Sequence, residues 1–240
     1  MPTVSCWGLT HPGKVRGNNE DNWRVENDLS VALVADGMGG AACGEVASAL
    51  TVEAIIDYLR NPAEELAGEP LVREAIRRAN HRVLEASRDG EGCVGMGSII
   101  VLAQWNGEGL LVANVGDSRA YLWRNGSLSQ MSYDQNLANE LRTNLGLTDE
   151  QINRYPQRNA LTMAIGTYED ILICVKEGVL EAGDRVLLCS DGLHGPLSDT
   201  EIEQTLAWGK PARETVEALI ERANAAGGPD NITGVLLDCA

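Results

Sequence analysis

The chain has 240 residues, 44% of them apolar, and its 35 acids against 19 Lys and Arg give a formal charge of −16. That length suffices for one well-buried domain and is short for two. The acid surplus argues against duplex DNA or RNA and against an anionic membrane surface as partners, because both demand a basic face, and no stretch approaches the ~18 consecutive apolar residues of a membrane span.

Val4 to Leu9 and Asn22 to Glu26 read as short strands on either side of Pro12-Gly13 and the polar run Arg16-Gly17-Asn18-Asn19-Glu20-Asp21. The run Val31-Ala32-Leu33-Val34-Ala35 reads as a buried strand that stops at Asp36 and enters Gly37-Met38-Gly39-Gly40. Helices are predicted over 44–60, halted by Asn61-Pro62, and over 70–87, with Pro70 in its first turn. From Gly97 the pattern changes to strands. Ser98–Trp105 and Leu110–Val115 flank Asn106-Gly107, Arg119–Trp123 and Leu128–Met131 flank Asn125-Gly126, and Asn-Gly between apolar runs predicts hairpins, hence an antiparallel meander. Residues 134–166 are polar and mixed, with a capping box at Thr148-x-x-Gln151, and predict a small helical excursion. Strands over 171–175 and 185–190, a capped helix opening at Ser198-x-x-Glu201, a helix over 211–226 and a last strand over 232–238 complete an α+β chain with antiparallel sheet in one domain.

Phe is absent and aromatics make up 4%, so the core must rest on Val, Ile, Leu and Ala. Cys6, Cys43, Cys93, Cys174, Cys189 and Cys239 are scattered with no Cys-x-x-Cys, which predicts buried free thiols rather than bridges. The first fourteen residues lack a charged leader followed by an apolar block, so a reduced, cytoplasmic compartment is expected.

The chemistry lies at the strand ends. Asp36, Asp117, Asp191 and Asp230 each stand beside glycine and next to an apolar run. One such Asp is ordinarily a turn or cap residue. Four point to a shared acidic centre, and oxygen-only ligands suit Mg²⁺ or Mn²⁺. The partner of Asp36 is either such an ion or the N-terminus of the helix opening at Gly44. Arg16, beside Glu20 and Asp21, reads as a surface ion pair or, next to two cations, as a bidentate phosphate anchor. Two divalent ions ~3.5–4 Å apart would share and acidify a water, giving a hydroxide able to attack phosphorus in line with no Cys or His nucleophile. His11, His81 and His194 show no ligand spacing.

The ordered set Arg16–Asp21, Val34–Gly40 (VADGMGG), Val115–Tyr121 (VGDSRAY), Leu161–Gly166 (LTMAIG), Leu187–Leu193 (LLCSDGL) and Gly227–Thr233 (GGPDNIT) resembles the bacterial metal-dependent Ser/Thr protein phosphatases of the 2C type, the PPM family. The resemblance implies an αββα sandwich of two antiparallel sheets, one catalytic domain over 1–240, and a flap at about 134–166. It implies that Asp36 bridges two Mn²⁺ or Mg²⁺ ions, that the Gly37 carbonyl ligates the first, and that Asp191 and Asp230 hold the second. Asp21 would act through a water with Glu20 close by, and Asp117 with Asp191 would form a weaker third site. The implied function is hydrolysis of phosphoserine and phosphothreonine in proteins, by a monomer opposing a cognate Ser/Thr kinase. Three positions depart from the pattern: Ala41 where relatives often carry His, Gln135 after Asp134 where many carry His, and Gly97-Ser98-Ile99 for Gly-Thr-Thr. None is a ligand position, so an effect on rate or selectivity is expected. A non-catalytic sensor or scaffold, and a two-metal hydrolase of small phosphoesters, are the competing readings.

Overall fold

The computed structural model describes residues 3–39, 43–63, 65–89 and 93–240; the Ala41 departure lies outside them. Ten strands and seven helices are present among the described residues. They run β1 (Val4–His11), β2 (Asn22–Glu26), β3 (Val31–Met38), α1 (Cys43–Arg60), α2 (Glu69–Asp89), β4 (Gly97–Asn106), β5 (Gly109–Val115), β6 (Arg119–Arg124), β7 (Ser127–Gln130), α3 (Leu137–Leu145), α4 (Asp149–Ile152), β8 (Cys174–Val179), β9 (Arg185–Cys189), α5 (Asp191–His194), α6 (Asp199–Leu206), α7 (Ala212–Ala225) and β10 (Ile232–Cys239). No helix among the described residues is long and apolar enough to cross a membrane.

The strands form two antiparallel five-stranded sheets, ordered β1-β10-β9-β6-β7 and β2-β3-β4-β5-β8. The layering follows from the side-chain period of two. On β3, Ala32 and Val34 face Val186, Leu188, Val235 and Leu237 of the other sheet. Val31, Leu33 and Ala35 face the opposite way, onto Ala47, Ile55, Ile76 and Val83 of α1 and α2. On the far side Leu187, Cys189 and Leu236 carry α5, α6 and α7 through Leu193, Ile202, Val216 and Leu219. A strand covered on both faces must be apolar at every position, which is why β3 reads as an unbroken run rather than an alternation. The result is the expected αββα sandwich.

Both hairpins form, though the first turns at Gly107-Glu108, one residue later than expected, with Asn106 paired to Gly109. Asn125 and Gly126 have φ of 51° and 81°, the pair of positive values that a two-residue turn matching strand twist requires. The meander does not persist, however. The β4–β5 hairpin belongs to one sheet and β6–β7 to the other, and the chain crosses between them at Gly116, whose φ is +97°. Hairpin signals are local and carry no information about which sheet a strand joins. The strand expected over 171–175 begins three residues later, at Cys174, where its pairing with Asn114 of β5 starts. The bend after β9 contains the short helix α5, which no pattern marked.

One expectation about the cysteines is corrected. Cys43 and Cys93 form a disulfide across 50 positions, while Cys6, Cys174, Cys189 and Cys239 are free. Sequence spacing could not reveal this pair, because it is the packing of α1 against the segment entering β4 that brings the two together.

Candidate active site

Every acid singled out above comes to one end of the sandwich. A cavity of about 250 Å³ is lined by Arg16, Glu20, Asp36, Gly37, Asp117, Asp191 and Asp230, with Met38, Gly39, Ile99, Asn159, Leu161 and Asn231 completing its wall. A larger cavity of about 710 Å³ lies over the outer face of α2, and it contains none of these acids.

Asp36 belongs to β3 itself, paired in register with Ile99, and its carbonyl accepts from Ser98 Oγ at 3.1 Å. Gly37 N donates to Glu20 O at 3.1 Å, and any Cβ at Gly37 would strike the carbonyls of Gly44 and Glu20. Glycine is thus required here by close backbone approach. A Cβ on Gly44 would in turn meet the Glu20 carboxylate. So Glu20 is the acid set against the start of α1, a position that sequence reasoning had left open to Asp36.

Asn231 binds the loops together. Its Oδ1 accepts from Glu20 N at 2.8 Å, and its Nδ2 donates to Pro12 O at 3.0 Å and Asn18 O at 2.8 Å. Its neighbour Asp230 accepts from Arg16 Nη2 at 2.7 Å. Asp191 opens α5 within hydrogen-bonding reach of Asp36. Asp117 sits just past the crossover; Asn136 Nδ2 reaches its Oδ2 at 3.4 Å, and His194 Nε2 lies 3.0 Å from its carbonyl. Burial and the Asp117 contact fix His194 as a structural side chain, its pKa pulled down to about 4, chiefly by burial.

Asp21 lies beneath this group, 8% exposed. Its Oδ2 accepts from Ser190 Oγ at 2.8 Å and Thr233 Oγ1 at 2.6 Å, whereas Oδ1 is buried with no partner among the described residues. Burial first, with Asp191 and Asp230 adding repulsion, pushes its pKa up to about 7 against the two hydroxyl donors. Asp117 rises to about 6 through burial and Asp191. Asp36 is raised well above the ordinary carboxylate range by burial and by Asp21, Asp191, Asp230 and Asp117. Asp191 is raised likewise by burial and Asp230.

This donor set fits hard divalent cations. It offers oxygen alone, one buried oxygen is orphaned, and the mutual repulsion of the acids is what a divalent cation relieves. Among the described residues no three His, Cys, Asp or Glu side chains already close on one cation position. Arg16 is the positive charge in contact with the group.

Sequence reasoning missed the supporting residues Ser190, Thr233, Asn136 and His194. Ser190 and Thr233 fall inside two of the motifs, where a hydroxyl at the end or start of an apolar run was the available signal. Gln135 is 4% exposed and structural: its Oε1 accepts from Gly116 N at 2.7 Å and its Nε2 donates to Leu172 O at 2.8 Å. Ser98, besides holding Asp36 O, exchanges backbone hydrogen bonds with Ile165 at 3.0 and 2.8 Å.

The sequence profile of the protein phosphatase 2C family matches residues 14–236. The chain belongs to that family. It is 32% identical over 235 residues to the serine/threonine phosphatase stp of Listeria welshimeri, covering 95% of this chain and 93% of that one. The crystal structure of the Mycobacterium tuberculosis serine/threonine phosphatase PstP/Ppp superposes with a TM-score of 0.88 at 32% identity, covering 99% of each chain. The catalytic domain of PstP in complex with two manganese ions superposes with a TM-score of 0.86 at 32% identity, covering 100% of each. The αββα architecture of this phosphatase is therefore that of the PPM enzymes.

Proposed function

We propose that the cavity at the end of the sandwich is the catalytic centre of this Ser/Thr protein phosphatase, and that two Mn²⁺ or Mg²⁺ ions are its cofactors. Asp36 would bridge the two, the Gly37 carbonyl would join the first, and Asp191 and Asp230 would hold the second. Asp21 would act through a water from its orphaned Oδ1, Glu20 would stand beside it, and Asp117 with Asp191 would offer a third position. When bound, the cations acidify a shared water and take up charge on the phosphoryl group.

The protein's own contributions follow from the geometry. Arg16 has a side chain 52% exposed and, among the described residues, is held by Asp230, so its guanidinium can turn to grip two phosphoryl oxygens. Ser190 and Thr233 hold Asp21 by one oxygen and leave the other buried and without a partner among the described residues. Asn231 fixes Glu20 by its backbone amide. None of these steps uses a thiol or imidazole nucleophile, in keeping with the outward setting of His11 and His81 and the burial of Cys189.

The single observation that carries this reading is that acids spread from position 20 to position 230 line one small cavity with an arginine at its edge. Hydrolysis of a phosphothreonine peptide should require Mn²⁺ or Mg²⁺ and should fall by at least about 100-fold in Asp36→Asn, as expected when a group that orders the reacting centre is lost. Activity that survives either removal would return the fold to a scaffold role or move the chemistry elsewhere.

We also propose that the chain is one catalytic domain in which residues 134–166 form the flap, that it acts as a monomer, and that its substrates are products of a cognate Ser/Thr kinase in the cytoplasm. The four free thiols support that compartment, and the Cys43–Cys93 bridge is the feature in tension with it. Cell fractionation and gel filtration test these points.

A further inference from the structure

Asn159 and Leu161 line the same cavity as Arg16 and Asp230. This stretch is held far more firmly than a loose loop would be. Ala138 N donates to Arg158 O at 2.7 Å, Leu137 N to Ala160 O at 2.9 Å, and Thr162 N to Gln135 O at 2.9 Å, while Asn136 and Leu161 pair as an antiparallel bridge. The bonds at Arg158 and Ala160 bracket Asn159, so its backbone is anchored to the start of α3. The other end of that anchor, Asn136, reaches Asp117 with its own side chain. Asn159 is nonetheless exposed, and among the described residues its carboxamide makes no hydrogen bond.

We propose that Asn159 is a substrate-positioning residue that hydrogen-bonds the peptide main chain beside the phosphorylated Ser or Thr. The proposal rests on reading this cavity as the catalytic centre. A carboxamide carries a donor and an acceptor side by side, which is the complement of a peptide N–H and C=O. Being neutral, it adds no repulsion to a wall already crowded with acids. The backbone bonds on either side of Asn159 pre-place the amide and reduce the ordering cost of binding. A small aryl phosphate has no main chain and cannot use it.

The test compares a phosphothreonine peptide with p-nitrophenyl phosphate in Mn²⁺-loaded full-length enzyme. In Asn159→Ala the ratio of kcat/KM for the peptide to that for the aryl ester should fall about 5–20-fold, the worth of one or two modest hydrogen bonds, with the change carried by the peptide KM. Asn159→Gln should restore part of that ratio and Asn159→Asp none, since the aspartate loses the donors and adds charge. The Mn²⁺ concentration for half-maximal activity should not move in Asn159→Ala. An unchanged ratio, an equal loss on both substrates, or a shifted Mn²⁺ midpoint would overturn the assignment. Asp36→Asn run alongside separates the two layers: if it keeps activity, the reading of the cavity itself fails, whatever Asn159 does.

Discussion

Asp21→Asn removes the most deeply buried acid of the site while keeping its shape. The asparagine Oδ1 can accept the same two hydrogen bonds from Ser190 and Thr233, at 2.8 and 2.6 Å in the wild type, and the new amide takes the orphaned position. In the wild type the folded pKa is raised to about 7 from an ordinary 3.8. Folding therefore favours the protonated acid: the penalty is absent below about pH 4, grows as pH rises, and is complete above about pH 7. The gap corresponds to at most about 4 kcal/mol above pH 7, or roughly 8–16 °C in melting temperature for a chain of this size. With divalent metal chelated, Asp21→Asn should melt higher than wild type, and its advantage should be larger at pH 8 than at pH 5 by up to about 3 kcal/mol. With Mn²⁺ the ranking should narrow or invert, because the wild type gains more from the cation. Thermal melts over pH 5 to 8, with chelator and with Mn²⁺, read all of this. A variant that melts at or below wild type in chelator at pH 8 would refute the account of Asp21 as a charge held against its preference.

Gln135→Ala should destabilise by about 1–3 kcal/mol, since it leaves the buried Gly116 N–H and the Leu172 carbonyl without their partner; urea unfolding measures it, and an unchanged midpoint would deny Gln135 its bridging role. Reducing the Cys43–Cys93 bond should lower stability by up to about 4 kcal/mol from the reopened 50-position loop. Melts with and without dithiothreitol decide it, and coincident curves would mean that the bridge does not hold the fold.

The acids were legible because glycine and an abrupt polar residue punctuate otherwise apolar runs, and such punctuation is local. The same holds for the hairpin at Asn125-Gly126 and the capping boxes at Thr148 and Ser198, both of which form. What could not be read was long-range. Gly116 sends the chain from one sheet to the other, and nothing in residues 110–124 states which strand β6 will pair with. Cys43 and Cys93 meet only because α1 packs against the segment entering β4. Gln135 looks like a departure from the family pattern until its structural partners are seen, and Asn159 looks like any polar loop residue until the cavity wall is traced.

The scaffold of neutral donors explains how one fold can keep so many acids together. Asp21, Asp36, Asp117 and Asp191 all have their protonated forms favoured by burial and by one another, which is a standing free-energy cost near neutral pH. Among the described residues the positive charges near this group are peripheral: Arg16, half exposed, contacts Asp230 at the edge, and Arg119, paired with Asp134, only moderates the rise at Asp117. The fold fixes the backbones instead, through Asn231, Ser98 and His194, so that the carboxylates cannot separate to escape the repulsion. An acidic centre built in this way has its lowest energy with divalent charge between its arms. A cation supplied by the fold itself would compete with the cofactor for the same oxygens, and the sites nearest Asp21, Ser190 and Thr233, are fully buried and too tightly packed to admit one.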